Sequence, residues 1–135
     1  MEHKSPPNEG LLNDCPESSL ISPCRCKLEQ YLDDKFMELD CSFRDLNNSM
    51  ISDVLDVFNS TLNRPLSRLN LSNNRLTQIP DQLRILDRLR FVNLGHNQIS
   101  VVRTGTFKSK SSKRHTEVFL NDNKIIKIEP NAFQG

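Results

Sequence analysis

Five apolar positions and one asparagine recur at fixed spacing through the second half of this chain, and that recurrence constrains its fold more than any other feature. Leu66, Leu69, Leu71, Asn74, Leu76 and Ile79 align with Leu89, Val92, Leu94, Asn97, Ile99 and Val102, and again with His115, Val118, Leu120, Asn123, Ile125 and Ile128. The spacing reads L-x-x-L-x-L-x-x-N-x-L-x-x-I, with asparagine-to-asparagine periods of 23 and 26 residues. Short strands over residues 68–72, 91–95 and 117–121 are expected, pointing alternate side chains to opposite faces. Leu69 and Leu71, Val92 and Leu94, and Val118 and Leu120 then face inward and stack on their counterparts. Each asparagine falls where the chain turns, and its buried amide can satisfy backbone groups that otherwise lack partners. Asn74, Asn97 and Asn123 should therefore form a ladder.

This spacing is the pattern of a leucine-rich repeat. A single turn of such a repeat cannot bury its apolar face alone, so stability comes from stacking and from caps. The fold class expected is α/β: a right-handed solenoid over residues 66–135, with a parallel β-sheet on its concave face. The copies differ in detail. Gly105-Thr106-Phe107 and Asn131-Ala132-Phe133 place a phenylalanine on the return side, whereas the first copy has Ile79-Pro80 and then Leu83 and Leu86. His115 stands where leucine is expected, and Gly135 follows the third copy so closely that an open apolar edge without a C-terminal cap is expected.

Composition agrees with a thin core. The 135 residues include 18 Leu and 14 Asn, but only 36% are hydrophobic and 6% aromatic, with no Trp. A net charge of +1 gives no general attraction for nucleic acid, so no nucleic-acid partner is expected. No stretch approaches the roughly 18 apolar residues of a membrane span. The first twenty residues lack the basic and apolar regions of a signal peptide, and residues 1–14 are expected to be a disordered tail.

Residues 15–65 read as an N-terminal cap. All four cysteines lie there, at Cys15, Cys24, Cys26 and Cys41, and an even cluster suggests disulfides and an oxidising compartment. A Cys24–Cys26 bond would close a strained ring, which leaves two pairings. A zinc site would ordinarily use two C-x2-4-C knuckles, which are absent. Over residues 49–62, Ile51, Val54, Leu55, Phe58 and Leu62 mark one helical face, with Ser49 or Asn48 as N-cap and Pro65 barring extension.

Cys15-Pro16, Cys24-x-Cys26 and Cys41 ahead of three repeats resemble the cysteine-rich cap of extracellular leucine-rich repeat proteins. More narrowly, Ile21-Ser22-Pro23-Cys24-Arg25-Cys26, Leu39-Asp40-Cys41-Ser42 and the following helix resemble a group of secreted arthropod proteins. That group is named after the leucine-rich, non-catalytic subunit of the oplophorus luciferase. The resemblance implies the pairs Cys15–Cys26 and Cys24–Cys41, an extracellular location and a non-catalytic role. It also implies an alternative function: an accessory subunit stabilising a secreted luciferase-like monooxygenase or another enzyme.

The concave face is where solenoids usually bind partners. Its outward positions are Arg68, Asn70 and Ser72, then Phe91, Asn93 and Gly95, then Glu117, Phe119 and Asn121. Phe91 and Phe119 could touch diagonally, and flanked by Arg68 and Glu117 they resemble a protein-binding hot spot; alternatively they tile the sheet. Lys108, Lys110, Lys113 and Arg114 make the loop 108–115 basic. It reads first as a solvated insertion and second as a contact for a sulfated glycan or acidic partner. Asn47, Asn59 and Asn70 each open an N-x-S/T triplet and are candidate glycan acceptors. His3, His96 and His115 accompany no nucleophile, and the four glycines form no phosphate loop. No catalytic residue, metal site or cofactor is therefore expected.

Overall fold

The computed structural model describes residues 15–32, 34–59, 66–86, 88–107 and 116–133. The expected tail 1–14, the basic loop 108–115, Leu62, Pro65 and His115 lie outside the described residues.

A short helix α1 (Ser18–Ile21) leads into an antiparallel hairpin of β1 (Arg25–Tyr31) and β2 (Asp34–Asp40). Helix α2 (Asn48–Asn59) follows, and then the repeats supply β3 (Leu66–Asn70), β4 (Phe91–Asn93) and β6 (Glu117–Phe119). These strands form one five-stranded sheet in the order β1-β2-β3-β4-β6. Pairing is antiparallel only between β1 and β2; β2 with β3, β3 with β4 and β4 with β6 are parallel. The expectation of a parallel sheet is thus corrected to a short mixed one, because the cap donates its hairpin to the repeats' sheet. On the return side, β5 (Val101–Val102) pairs in parallel with β7 (Lys127–Ile128).

In-register stacking follows the apolar pattern. Leu39, Leu69, Val92 and Val118 are consecutive partners across β2, β3, β4 and β6. Leu39, Leu69, Leu71, Leu76, Leu94 and Ile99 are fully buried, as are Met37, Cys41, Ile51 and Leu55 from the cap. Val118, Leu120 and Ile125 pack against this core while partly exposed. On the return side, Phe107 and Phe133 stack at 5.3 Å with planes 6° apart, and Thr106 and Ala132 are buried beside them. Thr104 and Glu129 join the same two returns: the Thr104 N–H donates to Glu129 at 2.9 Å, which lowers the pKa of that carboxyl.

The repeated asparagines interlock neighbouring turns. Asn97 donates to the carbonyls of Leu94 and Gly95 in its own turn (3.1 Å each) and of Leu71 in the preceding one (3.0 Å). Its Oδ1 accepts from the N–H of Leu76, again in the preceding turn, at 3.0 Å. Asn123 repeats the scheme on Leu94, Leu120 and Asn121, accepting from Ile99. Asn74 does the same on Cys41, Leu71 and Ser72, accepting from Leu46 and Arg44.

The partners of Asn74 show that the cap contains a turn of the same kind. Leu39, Asp40, Cys41, Ser42, Arg44 and Leu46 occupy the places of Leu69, Asn70, Leu71, Ser72, Asn74 and Leu76. Arg44 replaces the asparagine, donating to the Ser42 carbonyl at 2.6 Å and to that of Pro23 at 2.7 Å. The residue before each of these positions takes a left-handed backbone: Phe43, Asn73, His96 and Asp122 have φ of 56, 58, 56 and 58°.

The strands end two residues earlier than the sequence suggests, and in β3 and β4 side chains take over the turn. The Asn70 Oδ1 accepts from the N–H of Ser72 (3.0 Å) and from its hydroxyl (2.7 Å). Asp40 grips Ser42 in the same way, and Asn93 accepts from the Gly95 N–H. Such two-residue side-chain turns compete with continued pairing. Inter-turn backbone bonds nevertheless continue, from Leu71 N–H to Asn93 and from Leu94 N–H to Phe119, both at 2.8 Å.

Two disulfides fix the cap: Cys15–Cys26 at 2.08 Å and Cys24–Cys41 at 2.04 Å. Helix α2 buries Ile51, Val54, Leu55 and Phe58. Its N-cap is neither Ser49 nor Asn48 but Asn47, whose Oδ1 accepts from the Met50 N–H at 2.9 Å. Asn48 instead exchanges two hydrogen bonds with Thr77. Gln82, in the 3₁₀ turn Asp81–Arg84, donates to the Ser52 hydroxyl (2.7 Å) and to Asp56 (2.9 Å), tying the first repeat to α2.

Reduction should raise the intact mass by four hydrogens, and replacing Cys24 and Cys41 by Ser should cost about 2–5 kcal/mol in denaturant unfolding. Asn97→Ala strands one buried N–H and up to three carbonyls at once, so a loss of about 3–5 kcal/mol is expected by the same measurement. Asp40 is the pH-dependent case. Burial pushes its carboxyl up, but the bonds from Ser42 and the charge of Arg44 outweigh that, so its pKa is lowered. The stability it contributes is then complete above the ordinary carboxylate range and lost as pH falls through its native value. Asp40→Asn, which installs the residue found at positions 70 and 93, should reduce stability at neutral pH and converge with the parent protein in acid.

Candidate protein-binding face

Side chains opposite the core form rows across the sheet. Register places Glu38, Arg68, Phe91 and Glu117 in one row, and Asp40, Asn70, Asn93 and Phe119 in the next. Hairpin pairing extends the rows with Lys27 beside Glu38 and Arg25 beside Asp40. The first row thus alternates in charge before it meets Phe91. Glu29, 3.0 Å from Lys27, hydrogen-bonds it and raises its pKa, with a smaller contribution from Glu38. Sequence reasoning left the cap residues of these rows out. The signal that finds them is Leu39-x-Cys41-x-x-Arg44-x-Leu46, whose spacing matches the repeats once cysteine and arginine are accepted in the leucine and asparagine places.

At the other end of the rows the structure brings together three of the residues singled out from sequence. Phe91 and Phe119 lie diagonally, with ring centroids 5.0 Å apart and planes at 76°. The guanidinium carbon of Arg68 sits 4.4 Å from the Phe91 centroid. Edge-to-face contact suits the ring quadrupoles, and a cation over a ring face adds about 0.5–1 kcal/mol at an exposed site. Arg68 and Glu117 are exposed, Phe91 is half-buried, and Phe119 is 43% exposed. Glu117 is the register partner of Phe91. The cluster is an apolar ledge with a cation on one flank and a carboxylate on the other.

The next row is closed rather than outward. Ser72 is buried under the Asn70 carboxamide. Gly95 is covered by Asn121, whose Oδ1 would lie 2.8 Å from a Cβ at that position, so a side chain there would push the exposed Asn121 carboxamide aside. Beyond it, His96 Nε2 lies 3.2 Å from Asp122 at the exposed edge.

The remaining candidates do not join the ledge. Asn47 caps α2, Asn70 holds the turn of β3, and Asn59 closes α2 with its side chain and triplet outside the described residues. Lys108, Lys110, Lys113 and Arg114 also lie outside them. Among the described residues, no three His, Cys, Asp or Glu side chains gather as metal ligands would, and no helix is long and apolar enough to cross a membrane.

No solved structure matches the chain. The Leucine Rich Repeat family model matches residues 65–86, the segment that carries β3, Asn74 and the 3₁₀ turn, and this repeat is commonly used for protein–protein interaction.

Proposed function

We propose that this chain is a non-catalytic, extracellular module for protein binding or adhesion, built as a capped right-handed solenoid. The observation that carries this reading is the Arg68–Phe91–Phe119 cluster: a joined pair of aromatic rings, partly exposed, on the open face of the sheet. Binding hot spots draw on aromatic and arginine side chains grouped at one place. Such a ledge suits a partner presenting an apolar side chain beside an acidic group that reaches Arg68. The two disulfides support an oxidising compartment, since such bonds do not persist among reduced cytosolic thiols.

The double variant Phe91→Ala with Phe119→Ala tests the reading. Partner capture by the immobilised chain should be abolished, because hot-spot truncations cost about 2 kcal/mol or more each. The thermal midpoint should move only slightly, because neither ring belongs to the buried core. A large fall in midpoint would mark the rings as structural and remove the binding face. Co-purification with a stoichiometric enzyme whose stability depends on this chain would instead assign it as an accessory subunit.

A further inference from the structure

A cavity of about 180 Å³ opens at the end of the sheet where β2, β3 and β4 begin. Lys35, Arg88 and Arg90 line it together with Asp34, while Tyr31 and Phe36 supply aromatic surface and Ser67 a hydroxyl. Among the described residues, none of these four charged side chains joins an ion pair. The ion pairs there are Lys27–Glu29, Arg44–Asp40, Arg75–Asp45 and His96–Asp122, all elsewhere. The wall is also held in place: the Arg90 N–H donates to the Ser67 carbonyl at 2.8 Å, and its carbonyl accepts from the Glu117 N–H at 2.9 Å.

The surroundings are basic in a chain that is otherwise balanced. The cavity's described lining carries Lys35, Arg88 and Arg90 against Asp34, a net +2, while the whole chain carries +1. Three cations facing one carboxylate select for an anionic ligand, since arginine presents paired donors to sulfate or carboxylate oxygens. Asp34 narrows the choice further. A carboxylate accepts hydrogen bonds and donates none when ionised, so it favours a ligand that carries hydroxyl donors besides its anionic group. The aromatic walls suit the apolar face of a ring. The volume is below the roughly 300–1,000 Å³ of sites for drug-sized ligands, which suits a single ring.

We infer that this cavity binds an acidic monosaccharide unit, a sulfated or carboxylated pyranose, as found in an acidic glycan chain. The site is distinct from the Phe91–Phe119 ledge and from the basic loop 108–115, and it does not depend on the protein-binding role.

Calorimetric titration of the full chain with a heparin-derived disaccharide tests the inference. Saturable binding is expected, weakened about tenfold by Arg88→Gln and again by Arg90→Gln, as loss of a charge-assisted bond implies. Tyr31→Ala should weaken it as well, with circular dichroism unchanged in all three because these side chains are exposed. The pair Lys124→Gln and Lys127→Gln, exposed cations elsewhere, should leave affinity within about twofold. Replacing Lys108, Lys110, Lys113 and Arg114 by Ala should do the same. Absence of binding at millimolar disaccharide would overturn the inference. So would equal affinity for inorganic sulfate, tighter binding of a sulfotyrosine peptide, or an equal loss in either control.

Discussion

Everything in this molecule depends on a buried amide reaching across to the turn before its own. A side-chain carboxamide offers two donors and an acceptor from one planar group. Asn74, Asn97 and Asn123 each spend donors on their own turn and on the preceding one, and accept from that preceding turn as well. Tight bends leave carbonyls without partners at the point where they are removed from water. A buried orphan of this kind costs about 1–3 kcal/mol, so the bend needs a side-chain donor at that place if it is to stay packed. Leucine stacking supplies the drive to associate, but the amide fixes how far one turn can slip past its neighbour.

The repeats are legible in sequence because packing and turning each demand a particular side chain at each pass. Leu69, Val92 and Val118 meet in register as their spacing requires. The turn hidden in the cap is not legible by residue type. There the buried apolar place is filled by Cys41, which also closes a disulfide, and the donor place by Arg44, whose guanidinium reaches carbonyls as an amide would. Geometry is kept while chemistry changes, so a search for leucine and asparagine passes over it. Alternation overstates the strand ends for a related reason. Alternation continues through Leu71 and Leu94, but the side chains of Asn70 and Asn93 have already started the bend. The aromatic pair was visible because its members hold the same face on adjacent strands. The cavity was not, since Lys35 and Arg90 are distant in sequence and meet only through the order β2-β3-β4.

Two surfaces of different character share one sheet. Its open face ends in the Arg68–Phe91–Phe119 ledge, where the one guanidinium is laid against a ring. The end where β2, β3 and β4 begin gathers three cations, Lys35, Arg88 and Arg90, beside the one described carboxylate of Asp34. Phe91 opens β4 and follows Arg90 directly, so two consecutive residues serve the two surfaces. A partner spanning both would meet an apolar anchor and an electrostatic one on the same sheet.

The bond between Asn70 and Ser72 carries a consequence for biosynthesis. An enzyme that attaches a sugar to an N-x-S triplet must engage the asparagine and the serine together. Here the serine hydroxyl is buried and already committed to the asparagine's own oxygen. The triplet is therefore open only to a chain in which this turn has not yet formed. Occupancy at Asn70 would act as a clock, recording whether the modifying enzyme or the fold arrived first.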